Sequence, residues 1–167
     1  MLGVAAATLA VAAWAWQAGG IGVLYARYGL WAPLATVPLH VLTTITPLGE
    51  LVPMGVVNGA FYGFGRGAAL NWGAWMAAAA VQYALGQRLT SEAGGRERLP
   101  RWLRRLPLDH PAVLVCGRWF PGGGPLVDAS AGALGVPRRR LLLLAGLGHL
   151  PQALFLAGVG AGLGRLL

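Results

Sequence analysis

The sequence predicts an all-α integral membrane protein. The expected fold is an inverted repeat of two re-entrant helical hairpins, each followed by a transmembrane helix, plus an N-terminal transmembrane helix. Composition is the first observation behind this. Of 167 residues, 56% are hydrophobic and 11% charged, with a mean hydropathy of +0.61. Soluble domains average about 25% charged. The second observation is that two apolar stretches are too broken by proline and glycine to be simple spans. They are Thr46–Gly67 (TPLGELVPMGVVNGAFYGFGRG) and Phe120–Gly135 (FPGGGPLVDASAGALG). Broken backbone is tolerated at membrane depth only where protein buries it or a wet cavity lines it. Third, the two stretches can be laid over each other, and a span follows each.

Leu2–Tyr25 is apolar over about the length of a span. It lacks the basic start of a signal peptide, so a retained helix is expected. Trp14, Trp16 and Tyr25 are candidates for an interfacial aromatic belt. Trp31–Thr46 is apolar but short, with Pro33 and Pro38 inside, which fits a re-entrant arm. His40 lies on this arm, either as a packing histidine or as a proton relay. Glu50–Gly65 is the return arm, and Gly67–Leu89 is a span with Asn71, Gln82 and Tyr83 as polar members.

Thr90–Pro107 is the hydrophilic stretch. From Arg88 to Arg105 six arginines face two glutamates, so the basic connector 88–105 is expected in the cytoplasm, with the chain multi-pass in the cell inner (plasma) membrane. Arg101–Leu106 resembles a short interfacial helix. Its Arg101, Arg104 and Arg105 form a candidate head-group patch, with simple topology charge as the alternative. Leu108–Trp119 is a second short apolar arm, Phe120–Gly135 the second broken stretch, and Leu141–Leu163 the last span, opened by Arg138–Arg140. The organisation is one membrane domain over 1–167: N-terminal span 1–28, first repeat 31–89, connector 90–107 and second repeat 108–165.

The overlay sets Glu50, Pro53, Asn58 and Gly65 against Arg118, Pro121, Asp128 and Gly135. One span between the copies means that they enter from opposite faces, the pattern in which paired broken segments mark a transport site. Chance similarity of Gly/Pro-rich segments is the alternative. Pro53, Gly59, Pro121, Gly122, Gly123, Gly124 and Pro125 are the expected hairpin-breaking positions. Charges at membrane depth pair or line a wet cavity. Glu50, Arg118 and Asp128 are therefore expected together, as a substrate- or proton-binding site with Asn58 as a neutral member. A structural ion pair is the competing reading.

Other function classes find little support. All 13 basic residues are arginine and the net charge is +8, but they flank apolar spans and form no basic-aromatic module, so nucleic acid is not an expected partner. The single cysteine, Cys116, excludes an internal disulfide and is expected to be a buried apolar residue. His40, His110 and His149 are too far apart for metal spacing, and Ser91 and Ser130 have no evident base. Asp109-His110-Pro111 fits a turn. No metal, no cofactor and no enzyme are expected.

Glu50-x-x-Pro53, the Gly59–Gly67 run, Tyr83-x-x-Gly86-x-Arg88, Arg118-x-x-Pro121, Gly132 and Gly148-x-x-Pro151 occur here in one order. In this the sequence resembles the DedA / SNARE-associated (VTT domain) superfamily over about Pro33–Leu163. The resemblance implies two opposed re-entrant hairpins and lipid handling. Bacterial members are linked to recycling of undecaprenyl phosphate or to proton-motive-force-dependent membrane homeostasis, and eukaryotic relatives are phospholipid scramblases. Glu50 matches the family's functional acid and Arg118 its arginine. Gly124 stands where the family has a further arginine, and the family's second acid has no match, Asn58 being neutral.

The expected function is a membrane lipid translocator, either a phospholipid scramblase or similar to a polyprenyl-phosphate flippase. Arg118 offers a fork for a phosphate oxygen, Glu50 holds Arg118 or exchanges a proton, and Gly122–Gly124 leave backbone N–H groups free. A proton-coupled small-ion transporter and a non-transporting membrane scaffold are the alternatives. Expected partners are lipids with anionic or phosphate-bearing head groups, protons and a second copy in a homodimer.

Overall fold

The computed structural model describes residues 21–31, 33–45, 52–92, 101–108, 110–120 and 122–163. Among them the chain is helical, without strands. The helices are α1 (Ile21–Tyr28), α2 (Pro33–Ile45), α3 (Val52–Glu92), α4 (Arg101–Arg104), α5 (Pro111–Cys116), α6 (Gly123–Leu134) and α7 (Arg138–Leu163). Single 3-10 turns follow α1 (Gly29–Trp31) and α5 (Gly117–Trp119). Most of the expected N-terminal span lies outside the described residues, as does the connector from 93 to 100.

The chain divides into two compact units, Met1–Trp75 with Gln152–Leu167, and Met76–Pro151. The long helices α3 and α7 each contribute one part to each unit.

In the first unit, α3 is broken at Gly63, whose φ of 75° and ψ of 175° end the first limb of the helix. Only glycine adopts such a conformation cheaply. The chain then folds back on itself. A Cβ at Gly67 would meet the Asn58 carbonyl at 2.7 Å, and two asparagines lock the limbs together. Asn71 Nδ2 donates to the Gly55 carbonyl at 3.0 Å, and Asn58 Nδ2 donates to Asn71 Oδ1 at 2.7 Å. Both asparagines are buried, so each bond spares a polar group a desolvation cost of about 1–3 kcal/mol. Trp75, Ala153 and Leu156 form the apolar core beside this hairpin, with Val56 against them. His40 meets Trp75 edge-on at 5.6 Å. The hydroxyls of Thr43 and Thr44 both donate to the His40 carbonyl.

The second unit is built on Tyr83, Leu108, Leu114, Val127, Ala131, Val136 and Leu141. α6 is closed by glycines in the left-handed region at both ends, Gly122 (φ 72°) and Gly135 (φ 72°). Val136 N–H reaches back to the Ala131 carbonyl at 2.9 Å, the long bond of a Schellman cap. Tyr83 Oη donates to the Val136 carbonyl at 2.8 Å, which ties α3 to this turn.

Each unit holds one reciprocal pair of glycine notches. In the first, a Cβ at Gly59 would strike the Ala157 carbonyl, and one at Gly160 the Val56 carbonyl. In the second, a Cβ at Gly132 would strike the Tyr83 carbonyl, and one at Gly86 the Ala129 carbonyl. Small residues let helix backbones approach in this way where lipid offers no hydrophobic drive. The pattern equates Gly59 with Gly132. That register is three residues away from the one that lays Asn58 on Asp128. Asn58 instead belongs to the asparagine lock.

The outside is apolar. On α7, Leu143 (71% exposed), Leu147 (61%) and Phe155 (68%) face outward, while Ala145, His149, Ala153 and Ala157 are buried. α7 has 26 residues and is long and apolar enough to cross a membrane, the one such helix among the described residues. It starts at Arg138, three residues before the expected span. The span expected at Gly67–Leu89 is continuous helix within α3, but its glycines, alanines, Asn71 and Gln82 leave it less apolar. Two smaller expectations are corrected. Cys116 is exposed rather than buried, because α5 turns Leu114 inward and Cys116 falls on the other face. The helix expected at 101–106 is a single turn, Arg101–Arg104, since Pro107 restrains the residue before it.

Candidate functional site

The second unit contains a fully buried ion pair. Arg118 lies in the 3-10 turn after α5, and Asp128 lies in α6. Their side chains are 0% and 1% exposed, and Arg118 Nη1 donates to Asp128 Oδ1 at 2.7 Å. Placing two charges out of water costs several kcal/mol each, which only close pairing offsets.

The local sequence explains how the pair forms. Pro111 starts α5 at its first turn, with His110 as cap, its Nδ1 accepting from Ala112 N–H at 3.3 Å. This places His110 in a structural role. α5 tightens into the 3-10 turn at Gly117, and the chain reverses through Gly122 into α6. The two limbs approach closely because a Cβ at Gly123 would strike the Gly117 carbonyl, and one at Gly117 would meet Val127 at 2.9 Å. The next turn of α6 then sets Asp128 opposite Arg118. α7 supplies the floor. A Cβ at Gly148 would lie 2.9 Å from the Val115 carbonyl and 3.2 Å from Arg118 Cδ. Trp119 Nε1 donates to the Gly148 carbonyl at 3.0 Å, and His149 is buried next in sequence.

The guanidinium is only half used. Nε and Nη2 are buried and have no hydrogen-bond partner among the described residues. These two nitrogens form one edge of the planar group, the side-on fork that binds a carboxylate or phosphate through two parallel bonds. Asp128 thus holds one corner of Arg118 and leaves two buried donors without a partner among the described residues.

Of the other expected site residues, Glu50 and Pro121 lie outside the described residues, as does the side chain of Pro53, in the first turn of α3. Asn58 is in the first unit, bonded to Asn71. Gly59 is inside a helix as a packing notch, and the left-handed glycine of its stretch is Gly63. Gly122 makes the turn into α6, Gly123 and Gly124 are buried at its start, and Pro125 sits in its first turn. Arg101, Arg104 and Arg105 are exposed. Sequence reasoning missed Trp119 and Asn71 as bonding partners. The signal was present for Asn71, an amide inside an apolar span. No group of three His, Cys, Asp or Glu that could hold a metal occurs among the described residues.

Searches of curated proteins and of solved structures found no match. Residues 47–162 match the family model of the VTT domain. The match spans both units, including Arg118, Asp128 and all four glycines of the reciprocal notches. The chain belongs to the VTT domain family, the domain of the DedA / SNARE-associated membrane proteins.

Proposed function

We propose that this protein is a membrane lipid translocator that moves a phosphate-bearing head group past Arg118. The open Nε/Nη2 edge of this buried arginine carries the reading. A head group crossing a membrane must shed water from its charge, at a cost that a preformed charged donor pair offsets. Asp128 keeps the arginine oriented and balanced between transport events, so that no lone charge is left in an apolar site. Glu50, in the other broken stretch, is the proposed proton-exchanging carboxylate of the transport cycle.

The architecture that goes with this is an inverted repeat of two re-entrant hairpins, in a multi-pass protein of the inner membrane with its basic connector 88–105 in the cytoplasm. Several features support it. α2 and α6 have 13 and 12 residues, so at 1.5 Å per residue each is about 18–20 Å long, short of a hydrocarbon core of about 30 Å. The notch pairs Gly59–Gly160 and Gly86–Gly132 repeat one packing device. The apolar exterior around buried charge suits a lipid surround. The exposed Arg101, Arg104 and Arg105 suit a patch that gathers anionic head groups.

The test is reconstitution into vesicles, following leaflet exchange of labelled phospholipid and polyprenyl phosphate. Arg118→Ala and Glu50→Gln are expected to abolish exchange. Exchange at wild-type rates in both would overturn the site assignment. A flux driven by a pH gradient in the absence of lipid exchange would favour a proton-coupled ion transporter instead.

A further inference from the structure

Outside that site, the second unit carries a groove of about 320 Å³ lined by Ala80, Val81, Ala84, Leu85, Arg88 and Arg138. We propose that it is a binding site for one anionic glycerophospholipid, with the phosphate between Arg88 and Arg138 and an acyl chain along Val81 and Leu85.

The chemistry of the lining changes abruptly from one end to the other. Ala80, Val81, Ala84, Leu85 and Arg88 follow one another at helical spacing, so they form a single face of α3. Val81 and Leu85 are 40% and 42% exposed, and the small Ala80 and Ala84 beside them leave a trough. On a membrane protein such a trough faces acyl chains. Arg88 closes it one turn beyond Leu85. Arg138, from α7, lines the same groove and adds a second positive charge to it. No acidic residue lines the groove, and neither guanidinium has a hydrogen-bond or ion-pair partner among the described residues. Two guanidiniums lining one groove without a counter-charge there repel each other, and an anion held by both removes that repulsion.

Arg138 is also the first residue of the 26-residue α7, where the dipole of the helix is positive and its first N–H groups have no partner within the helix. An ordinary surface arginine gains little from one exposed partner. Here two arginines, one of them the first residue of a helix, line a groove that is otherwise apolar. This is the layout of a molecule with a charged head and an oily tail. The volume lies at the small end of ligand clefts, about 300–1,000 Å³, so it takes the phosphate and the start of one chain, and the rest of the lipid lies in the bilayer. Free phosphate would gain only the arginine end.

This site is separate from the Arg118–Asp128 pair. It would hold a resident lipid beside the helix ends, and it does not depend on translocation.

The test uses the full chain in phosphatidylcholine bilayers, with spin-labelled phosphatidylglycerol and phosphatidylcholine as probes. Their relative association is read by electron spin resonance. Wild type is expected to prefer phosphatidylglycerol. At about 1 kcal/mol per arginine near the surface, Arg88→Gln and Arg138→Gln should each reduce the preference about five-fold. Ala84→Trp, which fills the trough without changing charge, should also reduce it. Arg139→Gln, the same charge change one residue from the groove, should leave it intact. Both arginine variants sit on the surface, and retained helicity by circular dichroism checks that they fold. Absence of a preference in wild type overturns the proposal. So does a loss in Arg139→Gln equal to that in Arg138→Gln, which would indicate diffuse charge. Displacement of the lipid by millimolar inorganic phosphate would overturn the lipid as occupant.

Discussion

Replacing Asp128 with asparagine removes a charge and almost nothing else. The shape is kept, so no cavity forms, and Arg118 Nη1 still has an oxygen at hydrogen-bond distance. What changes is that a fully buried guanidinium loses its balancing charge. At an effective dielectric constant near 20, two charges about 4 Å apart attract by about 4 kcal/mol. Loss of one partner of a buried pair costs about 3–5 kcal/mol. For a chain of this size, about 2–4 °C of melting temperature accompanies each kcal/mol, so Asp128→Asn should melt about 6–20 °C lower. The assay is thermal unfolding of purified protein in one detergent, followed by circular dichroism. A second variant separates stability from function. Arg118→Met together with Asp128→Asn leaves no charge in the site, so most of the melting temperature should return, whereas lipid exchange should not. A drop under about 2 °C in the single variant would mean that the pair is well solvated and that the burial argument fails. A double variant that melts as low as the single would refute the view that an uncompensated charge is the cause.

Four further variants have outcomes that follow from the packing. Gly132→Ala places a methyl group against the Tyr83 carbonyl, and because backbone cannot swing aside it should cost at least about 1–3 kcal/mol of stability. Gly73→Ala, also in a helix but with open space around it, should stabilise by about 0.5–1 kcal/mol, so the two glycine variants should shift the melting temperature in opposite directions. Tyr83→Phe removes the donor to the Val136 carbonyl and should cost about 1–3 kcal/mol, with faster amide exchange at the α6–α7 turn. Asn71→Leu cuts both bonds of the asparagine lock. It should destabilise the first unit and raise proteolytic nicking near Gly63, which gel mapping would detect.

Much of the architecture follows from local chemistry and was legible residue by residue. An apolar, charge-poor chain has to be helical in lipid, because only helices satisfy backbone polar groups within one segment. Proline and glycine mark where such helices stop, and Gly122 and Gly135 bound α6. Arg118 and Asp128 stood out for a similar reason. A charge inside an apolar stretch needs a partner, and these two lie ten residues apart on either side of a turn.

Other features depended on which surfaces meet. The sequence holds 27 glycines, and composition cannot tell which of them turns the chain and which lets another backbone approach. Gly63 breaks α3, while Gly59, four residues earlier, is a notch against Ala157. Asn58 looked like a counterpart of Asp128, but its lock with Asn71 appears only once α3 folds back at Gly63. The sequence alone determined that this chain is helical, apolar and poor in charge. It determined this because desolvation and backbone bonding act on each segment separately. Only the tertiary structure decided that Asp128 takes one edge of Arg118 and leaves the other open, because a guanidinium's free edge depends on the direction from which its partner arrives.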